Sequence, residues 1–174
     1  MKLLTPLAVA AAFTLGPTVH AAFINGTIDI AAFGSYVTIN KIANTVKFVD
    51  TSPSFPGNAL VVNGTGNFAT FLAQPAFYAN FTYAPLTVVN PIWTLTSGMV
   101  KFNLTSITSV DELGVGLILT GTGTIIALGY DATPGSWSFS ADRAKPGAKF
   151  TFSSQTAAAV PDGGTTLLLL GGSL

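Results

Sequence analysis

The chain has 174 residues, with seven basic and seven acidic side chains, one histidine and no cysteine. Charged residues make up 8% of it, against roughly a quarter in ordinary soluble domains, so Thr, Ser, Asn and Gly must fill the solvent-facing positions. That balance offers no basic patch for nucleic acid and no acidic run of the kind that keeps a chain unfolded.

Lys2 opens the chain with a positive charge, residues 3–15 form a short apolar core, Gly16-Pro17 breaks it, and Val19-His20-Ala21 is a small-x-small site. This pattern predicts a secretory signal peptide over residues 1–21, cut after Ala21, with Ala22 the next choice. The apolar residues occupy every face instead of one stripe, which argues against an amphipathic helix packed on a core. Cleavage removes His20, so the mature chain has neither His nor Cys. Ser-His-Asp and Cys-His nucleophile systems are thereby excluded, as are zinc sites built on His or Cys. Disulfides contribute nothing.

From Phe23 onward apolar residues alternate with small polar ones, the period-2 signal of half-buried strands. Ile24, Gly26, Ile28 and Ile30 share one face, and Asn25, Thr27 and Asp29 the other. Strands are expected over 36–39 and 45–49, and a loop over 50–58, where Pro53, Pro56 and Gly57 cannot hold a ladder. Residues 59–62 read as a strand meeting an Asn63-Gly64 hairpin turn, with 66–72 as its return partner. Residues 77–83 read as one strand with Phe77, Ala79, Phe81 and Tyr83 on one side and Tyr78, Asn80 and Thr82 on the other. Val100, Phe102 and Leu104 then alternate with Lys101 and Asn103, and Asp111-Glu112-Leu113-Gly114 reads as a turn. Residues 115–130 fit a strand pair, or one long strand bent at its glycines. Pro134-Gly135 is the favoured centre of a type II turn, and 136–141 with 149–153 form a last hairpin. No segment carries a helical stripe. Nine or ten short strands with regular turn signals predict an all-β fold, a single-domain antiparallel β-sandwich or jelly roll over 22–153.

Residues 154–159 then read as a linker to a tail over 160–174. Val160, Pro161, Asp162, Gly163 and Gly164 form a polar, chain-breaking motif that leads through Thr165 and Thr166 into four leucines and Gly171. The tail resembles the PEP-CTERM sorting signal, in a variant with Asp for the usual Glu. That resemblance implies export, then cutting near the motif by an exosortase, a membrane-embedded cysteine protease-transpeptidase of exopolysaccharide-producing bacteria. Two parts of the family pattern are absent. A span needs about 20 apolar residues and a basic end, whereas 165–174 offer ten residues and no Lys or Arg. The remainder of the signal is expected beyond Leu174. The domain also resembles a group of PEP-CTERM cargo proteins of unassigned function, through Asn25-Gly26-Thr27, Gly64-Thr65-Gly66-Asn67-Phe68, Pro91-Ile92-Trp93, residues 119–125 and residues 129–139. It carries over no catalytic residue.

Paired-carboxylate chemistry needs two acids converging across a cleft, and Asp29, Asp50, Asp111, Glu112, Asp131 and Asp142 are the candidates. They are scattered among turns and strands. No Ser-x-x-Lys spacing occurs. A single structural Ca²⁺ on backbone carbonyls with Asp131 or Asp50 stays open, since calcium takes six to eight oxygens. Gly64-x-Gly66 and Gly121-x-Gly123 lie in strand-like runs and are no phosphate cradles. Among the aromatics Trp137 alternates with Phe139 and belongs to the core, while Tyr78 is expected to meet solvent.

The leading expectation is a non-enzymatic exported protein of the cell surface or biofilm matrix of a Gram-negative bacterium, without a cofactor. Exosortase is its processing partner, and the tail makes transient membrane contact. Exopolysaccharide is an expected neighbour. Few lysines guard the strand edges, so self-association by strand pairing is also expected. Two rival readings are a carbohydrate-binding module with exposed aromatics and a carboxylate-dependent glycan hydrolase.

Overall fold

The computed structural model describes residues 21–33, 35–50, 55–87, 90–112, 114, 116–142 and 147–154, save the side chains of Ser35, Tyr36, Asp50 and Thr87. Twelve strands occur among them: β1 (Thr27–Ala32), β2 (Ser35–Asn40), β3 (Thr45–Asp50), β4 (Ala59–Gly64), β5 (Pro75–Tyr78), β6 (Phe81–Tyr83), β7 (Leu86–Thr87), β8 (Trp93–Leu95), β9 (Val100–Asp111), β10 (Gly116–Ala127), β11 (Thr133–Asp142) and β12 (Ala148–Ser154). Eight of them close into an antiparallel barrel in the order β1-β12-β11-β10-β9-β8-β5-β4, and β4 pairs back onto β1. The other four form a separate sheet ordered β2-β3-β6-β7.

This corrects the expected β-sandwich or jelly roll. Inside-outside alternation is the same in a sandwich and a barrel. What decides between them is which distant strands pair, and here Ile30↔Val61 on one side and Ile30↔Phe150 on the other leave β1 no free edge. Within the barrel no edge is left for strand pairing, since a closed barrel has none. The outermost strands among the described residues are those of the small sheet, β2 and β7.

An eight-stranded barrel has an interior just wide enough to be filled by side chains or to hold one small ligand. This one is filled. Trp93 stacks on Phe102 at 5.9 Å, Trp137 stacks on Phe150 at 5.8 Å, and Phe102 meets Phe150 edge-on at 5.0 Å. Each ring excludes on the order of 2–3 kcal/mol worth of apolar surface from water. Glycines make room for them. A Cβ at Gly123 would lie 2.1 Å from Phe102 Cζ, and one at Gly135 would lie 2.4 Å from Phe152 Cζ. Small facing large is how narrow barrels pack.

The pattern of expected strands holds at β1, β9, β10 and β12 and fails at three places. Asn63-Gly64 is no hairpin turn: both residues lie within β4, and Gly66–Phe71 is a 3-10 helix. The chain turns inward there, at Gly66 with φ +57°, to place Phe68 fully inside against Phe152. Residues 77–83 are two strands in two sheets, with the alternation reset at Ala79-Asn80. Phe77 is therefore half exposed, and Tyr78 is buried, stacked on Phe48 at 4.6 Å. Pro134-Gly135 is not a turn but lies within β11, and the turn falls earlier, between Ala127 and Asp131. Of the stretch expected over 115–130, Gly116–Ala127 form one twelve-residue strand, β10, with irregular register against β9 at Thr120/Gly121 and Thr122/Gly123.

The two ends of the barrel are closed differently. At one, Val37, Ile39, Val46, Phe48, Phe81 and Tyr83 of the small sheet join the barrel core, with Phe81 set edge-on to Phe139 at 5.7 Å. At the other, Phe68 and Ile24 are the plug.

Candidate functional site

Among the described residues the barrel core is packed with rings. The gap between barrel and small sheet, lined by Phe48, Tyr78, Phe81, Phe102, Trp137 and Phe139 among others, measures about 10 Å³. That is at the limit for a single water, and an apolar lining keeps such a space dry.

Among the described residues no group of three or more His, Cys, Asp or Glu side chains comes together. Asp29 lies on the outer wall of β1, where its Oδ2 is 3.0 Å from Lys149 Nζ on β12 and accepts from Asn63 Nδ2 on β4 at 3.4 Å. Burial by itself pushes the Asp29 carboxyl up, but hydrogen bonds from Thr151, Lys149 and Asn63, together with the Lys149 charge, hold it below the ordinary value. A carboxylate held ionised by three neighbours is a structural staple across strands rather than a proton donor. Glu112 accepts from the Tyr83 hydroxyl at 2.7 Å and pairs with Lys41 at 3.7 Å, and Lys41 also donates to Gly114 O at 2.9 Å. These contacts latch the β9–β10 turn onto the small sheet. Asp131 accepts through its backbone carbonyl from the Thr133 hydroxyl at 2.9 Å, in the turn before β11. The Asp50 side chain lies outside the described residues.

The aromatic candidates are mostly spent on the core. Trp93, Trp137, Tyr78 and Tyr83 are buried and Tyr130 is half-buried. The Tyr78 hydroxyl donates to Ile30 O at 2.8 Å, and burial pushes its pKa well above the usual 10.0. The placement of Trp137 agrees with the sequence, while that of Tyr78 reverses it. No row of exposed Trp or Tyr forms among the described residues.

What the outer wall presents instead is hydroxyl. Thr108, Thr120, Thr122, Ser136, Ser138, Thr151 and Ser153 line a shallow groove of about 480 Å³ across β9 to β12. Cross-strand pairing sets them in two rows, one through Thr122↔Ser136 and Ser136↔Ser153, the other through Thr120↔Ser138, Ser138↔Thr151 and Thr151↔Asp29. Ser106 and Thr122 hydroxyls bond at 2.8 Å. The Thr-x-Thr and Ser-x-Ser alternation that builds these rows is visible in the sequence; their alignment is not, because it depends on register between distant strands.

Of the expected processing residues, Ala21 and Ala22 are described and exposed, and Ala22 O accepts from Asp131 N at 3.2 Å beside the Phe23↔Asp131 bridge. Val160, Pro161, Asp162, Gly163 and Gly164 lie outside the described residues. No helix among the described residues is long and apolar enough to cross a membrane. No protein-family model matches the chain, and no curated protein and no solved structure matches it.

Proposed function

We propose that this is a non-catalytic exported protein of the bacterial surface or extracellular matrix, delivered through its two terminal signals and cut at the tail by an exosortase. The observation that carries the reading is the pair of signals, Lys2 to Ala21 at one terminus and Val160-Pro161-Asp162-Gly163-Gly164 with its leucine run at the other. The fold supports it in two ways. The gap between barrel and small sheet is no larger than a water, and Asp29 and Glu112 are held in ion pairs between strands and turns. A filled barrel with an almost uncharged, hydroxylated wall serves as an inert body among hydrated polysaccharides.

The hydroxyl groove favours a second reading, in which the outer wall binds a neutral glycan through hydrogen bonds. A glycan array on the exported chain separates the two: binding lost on Thr122→Val and Ser136→Val supports the second, and a blank array leaves the first.

The delivery route is tested by comparing a host with and without its exosortase. The expected result is a shortened, surface-exposed product in the first and a full tail retained in the cell envelope in the second. Identical products in both hosts overturn the reading, as does normal processing of a Pro161→Ala, Asp162→Ala variant.

A further inference from the structure

The first residues after the expected leader cut are built into the fold. Asp131 N donates to Ala22 O at 3.2 Å, and Phe23 forms a parallel bridge with Asp131. Ile24 is 1% exposed, and its N–H donates at 3.0 Å to the hydroxyl of Thr133, a fully buried residue of β11. Asn25 N donates to Asn67 Oδ1 and Asn67 N to Asn25 O, each at 2.8 Å. Gly26 N donates to Ser154 Oγ at 3.0 Å, and Ser154 N returns a bond to Gly26 O at 3.1 Å. Thr27 N reaches Thr65 Oγ1 at 2.9 Å. Each residue from 22 to 27 is thus fastened to a segment distant in sequence. The partners come from the turn before β11, from β11 itself, from the 3-10 helix and the residue before it, and from the end of β12.

We propose that residues 22–27 are a strap that shields the Ala21–Ala22 bond in the folded chain, so that removal of the leader precedes closure of the barrel. A peptide held in a groove is bound as an extended strand whose backbone groups pair with the host. Susceptibility to cutting follows the burial and hydrogen bonding of the affected backbone, not its position at a terminus. Ala21 and Ala22 are exposed, but Ala22 O is taken by Asp131, and Ile24, two residues on, is inside the plug. Presenting these positions to a protease lifts the strap, which breaks the Asp131 and Thr133 bonds and brings Ile24 into water. Ser154, which holds Gly26, ends β12, the last described strand, and β12 also pairs with β1. In a chain led across a membrane by its N-terminus, the strap is therefore fastened only after Ser154 has followed. The leader is cut in that interval.

The proposal rests on the N-terminal leader of the exported-cargo reading, but its test involves neither export nor an exosortase, so either can fail without the other. Purified, folded full-length chain is exposed to an elastase, which cuts after small residues such as Ala21 and Ala22. A synthetic peptide of residues 15–30 is the unprotected reference, and mass spectrometry follows the cuts after Ala21 and Ala22. Both bonds are expected to be cut on the order of a hundredfold more slowly in the folded chain than in the peptide, since lifting the strap forfeits several hydrogen bonds at once. Thr133→Val removes the acceptor for Ile24 N, and Asn67→Ala, at an exposed position, removes the one for Asn25 N. Each is expected to raise the rate in the folded chain about five- to tenfold. Asn67→Ala keeps the comparison open should Thr133→Val fail to fold. Equal rates in folded chain and peptide overturn the proposal, because the strap then protects nothing. Slow cutting that neither variant changes also overturns it, because the protection then comes from elsewhere.

Discussion

The two ends of the barrel are closed by devices of different scale. One is covered by a four-stranded sheet whose Phe48 and Phe81 share contacts with Tyr78 and Phe139. The other is stopped by a short helix that commits one large side chain, Phe68, with Ile24 beside it. The covered end is also latched by polar contacts of Tyr83, Glu112 and Lys41, whereas at the plugged end the start of β1 pairs with the end of β12, Thr27 with Ser153. Packing shared among many rings tolerates the loss of one, and a single plug does not.

Truncating the plug is the sharpest way to test that contrast. Phe68→Ala removes a ring with no exposure and is expected to cost about 3–5 kcal/mol in urea unfolding. Phe48→Ala, at the shared end, is expected to cost less, at the low side of that range; equal costs would break the comparison. Next comes Gly123→Ala on the wall between the ends. Its methyl would meet the Phe102 ring and Asn103 O, so about 1–3 kcal/mol is expected from overpacking. Tyr83→Phe removes one donor to Glu112 and is expected to cost about 1 kcal/mol, with the β9–β10 turn gaining faster amide exchange while the Phe68 end is unchanged.

The smallest effect is pH-dependent and belongs to the mid-wall. Asp29 is held below its usual 3.8, so its contribution is fully present above that unfolded value and is lost as pH falls from about 4 through the folded value. Asp29→Asn is therefore expected to cost about 1 kcal/mol at neutral pH, and the gap to wild type should close as the pH falls below about 4 through the folded value. A gap that widens in acid would contradict the direction of the shift.

Most strands were legible because half-buried strands write a period of two, and Ile28, Ile30, Val100, Phe102 and Leu104 all follow it. The failures share a cause. Tyr78 was misread because a two-residue crossing between sheets at Ala79-Asn80 shifts the phase, and only tertiary pairing says where a crossing falls. Gly64 and Gly135 carry turn chemistry in the sequence but serve here as close-approach positions, set against Phe68 O and the Phe152 ring. Closure was invisible for the same reason, since β1–β4 pairing joins segments that alternation alone cannot connect. The hydroxyl rows were half legible: Thr120, Thr122 and Thr124 alternate in the sequence, but their partners Ser138 and Ser136 come from a register that local pattern does not encode.

The central proposal is that the chain is exported and cut at its two terminal signals. The most direct test is the intact mass of the protein recovered from the surface and medium of its native host. The account predicts an N-terminus at Ala22 and a C-terminus near Pro161, with any further mass reporting attached glycan or lipid. A product that still carries Leu174 unmodified would contradict it, and would leave the tail as an unread apolar end.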